Sequence, residues 1–169
     1  MTIFAQKNEK RMKKKKKKNK DIELVNKKGF FNYNIIDKYE AGIVLVGSEI
    51  KSIRDMKVSF SDSYCLFLSE TELYVRNLHI DLYESTSYNG HEPKRDRKLL
   101  LTKKELRKLY KTVKIKGHTI IPLKIYIKNG FAKLQIGLAS GKKQYDKKQN
   151  IKDKDLKKDL NRSLKNEYR

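Results

Sequence analysis

Apolar and polar positions alternate most legibly between residues 102 and 140. Leu106, Leu109, Tyr110 and Val113 recur at three- and four-residue spacing, which puts them on one stripe of an α-helix. Thr102 stands just before that stripe with Glu105 three positions on, the pairing of a capping box, and Gly117 supplies a stop. The period then changes from 3.6 to two. Leu123, Ile125 and Ile127 alternate with Lys124, Tyr126 and Lys128. Asn129-Gly130 suits the positive φ angles of a type I′ turn, and Ala132, Leu134, Ile136 and Leu138 resume the alternation. The predicted hairpin has one core face and one basic or aromatic face.

Shorter elements precede it. Ile43-Val44-Leu45-Val46 reads as a β-branched strand ended by Gly47, and residues 49–54 as a short helix with Ile50 and Ile53 on one face. Residues 64–68 and 73–76 read as two strands joined across polar residues 69–72. Several short strands around one helix predict a mostly β fold with flanking helices, a small antiparallel barrel related to the oligonucleotide-binding fold. Periodicity alone fits an open sheet with a packed helix equally well. No internal repeat is present.

Charge changes the picture at both ends. The net charge is +22, with 10 basic and 2 acidic residues in 1–21, 21 and 13 in 22–140, and 11 and 5 in 141–169. The expected organisation is a disordered Lys-rich arm over 1–21, a barrel over 22–140 and a basic tail over 141–169. The middle segment is long enough for a hydrophobic core. An excess of this size raises affinity for polyphosphates by counterion release, so nucleic acid is the first expected partner and an acidic membrane surface the second. AT-rich coding would also enrich Lys, Asn, Ile and Tyr, and a block such as residues 13–18 is also the pattern of a self-repelling solvated tail.

Chemistry is sparse. Cys65 is the single cysteine, which excludes an intramolecular disulfide and a cysteine zinc site and fits a reducing cytosol. No apolar run approaches the roughly 20 residues of a membrane span, and the N-terminus lacks a secretory h-region. His79, His91 and His118 lack metal-ligand spacing, and no Gly-rich phosphate loop occurs. A nuclease magnesium site drawn from Glu40, Glu49, Asp62 and Asp96 has no spacing in its favour. These residues suggest no cofactor or metal site.

Six segments together carry a family resemblance: Asn26-Lys27-Lys28, residues 39–45, residues 47–54 (GSEIKSIR), Ser61-Asp62-Ser63-Tyr64, Arg97-Lys98-Leu99-Leu100-Leu101 and residues 137–147 (GLASGKKQYDK). In this order, from about residue 22 to the C-terminus, the chain resembles the small protein B family. These are the bacterial SsrA-binding proteins that work with transfer-messenger RNA (tmRNA) in trans-translation. The resemblance implies a monomeric cytoplasmic adaptor without catalytic chemistry that grips the tRNA-like domain of tmRNA. Its tail would be unfolded alone and helical in the empty mRNA channel of a stalled ribosome, with delivery of alanyl-tmRNA alongside elongation factor Tu and GTP. A general ribosome-associated binder of structured RNA is the alternative that fold and charge leave open.

Site residues follow from the same resemblance. Asn26, Glu40, Leu100 and Lys133 match positions used at the RNA-binding face. Each also has a structural reading: a turn or cap for Asn26, an ion-pair partner for Glu40, core for Leu100 and a solvated strand position for Lys133. A carboxylate at such a face can accept from base amino groups or a 2′-hydroxyl. Gly141, Lys142, Lys143, Tyr145, Asp146, Lys147 and Lys148 match the tail near the decoding centre, where Gly141 permits a turn, lysines meet phosphates and Tyr145 stacks. Tyr145 stands where some relatives have histidine, and Lys148 where relatives often have arginine, whose bidentate fork lysine lacks. Leu156, Leu160, Leu164 and Tyr168 would form a narrow stripe on a tail helix, where some relatives have an aromatic at position 156. Isolated helices of that length are marginal in water, so coil alone and helix on RNA is the expected balance.

Overall fold

The computed structural model describes residues 22–83 and 90–145, together with Leu156, Arg162 and Ser163. In chain order the elements are β1 (Glu23–Val25), α1 (Lys27–Asn32), β2 (Tyr33–Ile43), α2 (Gly47–Arg54), β3 (Val58–Ser59), β4 (Tyr64–Ser69), β5 (Glu72–Arg76), β6 (His79–Ile80), β7 (Arg97–Leu100), α3 (Lys103–Val113), β8 (His118–Lys128) and β9 (Phe131–Gly141). Expectations for residues 1–21 and for positions 146–148, 160, 164 and 168 lie outside the described residues.

The long hairpin is the spine of the fold. Asn129 and Gly130 turn with φ of 52° and 83°, and Lys128 faces Phe131 across the turn. Around it the strands run β8-β4-β5-β7-β2-β9, antiparallel throughout, and β9 pairs back onto β8. The ring closes at Cys65 opposite Ile120. That closure decides between the two architectures the pattern allowed: the sheet is a barrel, not an open layer. β1 extends the wall, pairing with Lys124, Ile125 and Tyr126 of β8, and β3 with β6 forms a separate two-stranded sheet.

Alternation fills the barrel. Ala41, Ile43, Leu73, Val75, Leu99, Ile120, Ile125, Leu134, Ile136 and Leu138 point inward and are buried. Helix α3 packs against this core with Leu106 and Leu109, while Tyr110 stacks edge-on with Phe67 at 5.3 Å. Its capping box forms as predicted, with the Thr102 backbone N–H and hydroxyl donating to Glu105 Oε2 and Thr102 Oγ1 accepting from the Glu105 N–H. The helix ends at Val113, with His118 Nδ1 bonded to the Thr112 carbonyl, so Gly117 (φ 89°) shapes the following turn rather than the last helical residue.

Three expectations change. Leu123 does not share a face with Ile125 and Ile127: the register of β8 slips between Pro122 and Lys124, and the extra residue rotates Leu123 to the outside. There it packs with Ile121, Ala139, Phe30, Tyr33 and Ile35 in a second cluster beneath α1. Gly137 makes room, since a Cβ on it would lie 2.8 Å from Leu123 Cδ1. The strand expected over residues 43–46 begins at Tyr33 and ends at Ile43, because Val46 is taken up as the N-cap of α2, its N–H donating to Glu49 Oε2 at 2.8 Å. The β4–β5 connection is tighter than residues 69–72, as Ser69 already pairs with Glu72 and Leu68 is the bulged residue.

Candidate RNA-binding surface

Closure of the barrel brings separated segments into register on its outer wall. Leu100 of β7 lies opposite Gly42 of β2, Gly42 opposite Lys133 of β9, Lys133 opposite Tyr126 of β8, and Tyr126 opposite Glu23 of β1. The next outward row aligns Glu40, Gln135, Lys124 and Val25. Positions from five strands, spread in sequence from Glu23 to Gln135, thus form one surface. Successive outward side chains are two residues apart along each strand.

Three of the four expected face residues meet here. Leu100 is 54% exposed and lies over Gly42, whose absent Cβ would be 3.3 Å from Leu100 Cβ. Its core reading therefore fails, because Leu99 takes the inward position. Lys133 is half-buried beside the Gly42 dip. Glu40 accepts a hydrogen bond from the Tyr126 hydroxyl on Oε2, and Lys128 Nζ lies 3.5 Å from the same oxygen. The Tyr126 bond is the main reason the Glu40 carboxyl is held below its ordinary value. Lost hydration opposes it, and the charges of Lys128 and Lys133 reinforce it. Burial pushes the Tyr126 phenol up to about 12, aided by its bond to Glu40, so the hydroxyl remains a donor at working pH. Tyr126 carried no functional signal in the sequence beyond its outward place in the alternation.

Asn26 borders this wall but its side chain is committed elsewhere. Its Oδ1 accepts from Gly29 N–H at 2.8 Å, capping α1, and its Nδ2 donates to the Pro122 carbonyl at 2.8 Å. With its backbone N–H on the Leu123 carbonyl, Asn26 ties α1 to the bulge of β8. It also lines a cleft of about 460 Å³ between α1 and residues 60–64.

The tail leaves from the far end of β9. Gly141 pairs with Tyr33, eight residues beyond Lys133, or roughly 26 Å along a strand. Lys142 is engaged with α1: its N–H donates to the Asn32 carbonyl at 3.0 Å and its ammonium to the Phe30 carbonyl at 3.2 Å. This lysine fixes the exit of the chain by satisfying carbonyls at the helix end. Lys143 and Tyr145 are exposed, the latter at 75%, whereas Asp146, Lys147 and Lys148 lie outside the described residues.

The acidic residues considered for a magnesium site are not gathered. Glu40 is on the outer wall, Asp62 lies in the connection between β3 and β4, Asp96 pairs with Arg76 at 2.8 Å, and Glu49 is fully buried. Glu49 Oε1 accepts from Arg95 Nε and Arg97 Nε, and Oε2 from Arg95 Nη2 and the Val46 N–H, all within 2.8 Å. Arg97 spends its remaining donors on the carbonyls of Leu78, Pro93 and Arg95. The GSEIKSIR segment thereby pins residues 91–97 and sets the start of β7. His91, between Ser48 Oγ and the Ile80 carbonyl, adds a second tie, with the hydrogen on Nε2 because a carbonyl only accepts. Burial keeps the Cys65 thiol protonated, well above its ordinary value.

Known proteins share this chain over most of its length. It is 51% identical over 145 residues to the SsrA-binding protein of Phocaeicola vulgatus, covering 85% of this chain and 96% of that one. It is 48% identical over 149 residues to the SsrA-binding protein of Bacteroides thetaiotaomicron, covering 88% and 99%. A chain in the structure reported as "tmRNA-SmpB: a journey to the center of the bacterial ribosome" superposes with a TM-score of 0.63 at 48% identity, covering 73% of this chain and 86% of that one. The profile of the SmpB protein family matches residues 22–166, and by that match and those identities the chain belongs to the SmpB family.

Proposed function

We propose that this chain binds the tRNA-like domain of tmRNA through the outer wall of β1, β8, β9, β2 and β7 and delivers it to stalled ribosomes for trans-translation. The observation behind this reading is the register that sets Glu40, Leu100 and Lys133 side by side around the Gly42 dip. A cation, an exposed apolar side chain and a carboxylate acceptor in one patch can engage backbone, base face and base edge or 2′-hydroxyl together. The names of its relatives support the same reading.

On this proposal Asn26 acts indirectly, by seating α1 against β8. The chain from Gly141 onward enters the decoding centre and mRNA channel, with Lys143, Tyr145, Asp146, Lys147 and Lys148 meeting ribosomal RNA and Lys142 aiming the exit. Residues 1–21 add sequence-independent affinity for RNA. The protein works in the bacterial cytoplasm as an adaptor without catalysis, alongside alanyl-tmRNA, elongation factor Tu and GTP. Among the described residues no helix is long and apolar enough to cross a membrane.

The test is a titration against tmRNA with an unrelated structured RNA of equal length as competitor, at low and near-physiological salt. Preference for tmRNA is expected to persist at the higher salt and to fall at least tenfold with Glu40→Ala. Equal affinity for both RNAs that collapses with salt would overturn the adaptor reading in favour of a general RNA binder.

A further inference from the structure

Glu40 alone is a poor recognition element. A glutamate on a strand surface has three rotatable bonds, and fixing them on RNA binding costs side-chain entropy. In this fold much of that freedom is already removed by a neighbour the family resemblance does not single out. Resting on the RNA-binding role proposed for this wall, we infer that Tyr126 is a specificity-determining positioning residue, which holds one oxygen of Glu40 so that the other is presented to a nucleotide's amino or hydroxyl donor.

The geometry supports each part. Tyr126 and Lys128, two residues apart on β8, both reach Oε2. Among the described residues no hydrogen bond reaches Oε1, and Glu40 stands two residues along β2 from Gly42, which Leu100 and Lys133 flank. The tyrosine is itself braced, with Lys124 Nζ 5.1 Å from its ring centroid and the same ammonium 3.1 Å from Glu23 Oε1. A chain of contacts thus runs from β1 through β8 to the carboxylate on β2. Because the phenol donates to Glu40, its hydrogen is not available to a phosphate, and the pair offers an acceptor to the RNA. An acceptor discriminates: phosphates are repelled, while base amino groups and 2′-hydroxyls are matched. Lys128, on a more exposed side chain and 3.5 Å from Oε2, is the looser of the two contacts.

The experiment is a double-mutant cycle in the full chain, with Tyr126→Phe, Glu40→Ala and the pair, measured by competition between tmRNA and an unrelated structured RNA. Tyr126→Phe keeps the ring and removes only the hydroxyl, and a thermal melt of each variant reports folding. The expected result is a fivefold to tenfold loss of tmRNA preference for Tyr126→Phe, an unchanged slope of affinity with salt, and no further loss when the change is made in Glu40→Ala. Substituting single 2′-deoxy nucleotides, or inosine for guanosine, in the tRNA-like domain separates the two donors. The substitution that removes the matched donor should cost wild type more than Glu40→Ala. An equal loss from Tyr126→Phe with and without Glu40 would overturn the inference, since the tyrosine would then act by itself, as would no loss at all. If Glu40→Ala is also silent, the RNA-binding reading of the wall fails with it; if Glu40→Ala alone is costly, only the role of Tyr126 is lost.

Discussion

The residue with the largest structural consequence is Glu49, which the sequence presented as one more acidic position in a basic chain. Its carboxylate is fully buried yet accepts four hydrogen bonds, three of them from Arg95 and Arg97. Burial raises its pKa, but the Arg95 bonds, the Val46 N–H and the two guanidinium charges outweigh this and leave it lowered. Removing one partner of such a group strands the others, a cost of about 3–5 kcal/mol for a buried pair. Glu49→Gln is therefore expected to lower the urea midpoint substantially at pH 7. The sign of the pH dependence follows: a carboxyl whose folded pKa is lowered stabilises above its unfolded value near 4.5, and that stability fades as pH falls through the folded value. Wild type should lose stability between about pH 5 and 3, and Glu49→Gln should show a shallower loss over that window. A steeper acid loss in the variant would refute the assignment.

At the scale of elements, the bulges decide what alternation cannot. The period-two pattern of residues 123–138 located the hairpin, its turn and most of its core face. It misassigned Leu123, because one inserted residue reverses the facing of everything on one side of it. The slip in β2 between Ile35 and Asp37 acts in the same way, turning Ile35 toward the second cluster while Tyr39, Ala41 and Ile43 face the barrel. Both bulges serve the same end, an apolar seat for α1 on the outside of the wall. Gly137→Ala tests this, since its Cβ would fall within 2.8 Å of Leu123 and 3.3 Å of Ile35. A loss of about 1–3 kcal/mol in chemical denaturation is expected, and the double variant with Leu123→Ala should lose less than the sum of the two single losses. Helix α1 and strand β7 went unread because KKGFFN sets a glycine beside adjacent aromatics and RKLL has adjacent leucines, so neither shows a period.

Over the whole molecule, the two surfaces proposed to meet RNA are held apart by the length of β9. Lys133 lies on the wall, and Gly141, roughly 26 Å along the strand, hands the chain to α1 through Lys142. Binding of tmRNA and action of the tail should therefore separate. A chain truncated after Lys142 is expected to retain tmRNA preference within about threefold at near-physiological salt, a change under 1 kcal/mol. Its affinity for unrelated RNA should fall further, and should depend less steeply on salt because fewer phosphates are neutralised, and peptide tagging on stalled ribosomes should be abolished. Retained tagging would contradict the proposed tail role.

By itself the sequence determined the β-rich class, the capped helix, the Asn-Gly hairpin, the basic character and, through six ordered segments, the family. These rest on local chemistry: turn geometry, capping and periodicity act over a few residues and leave a trace in order. It also nominated Glu40, Leu100 and Lys133, though without showing that they are neighbours. Only the tertiary structure decided that the sheet closes, that Leu123 faces outward, that Asn26 and Lys142 brace α1, and that Tyr126 holds Glu40. Each of these depends on register between strands distant in sequence, where a single bulge redirects a side chain and no pattern within one strand records it.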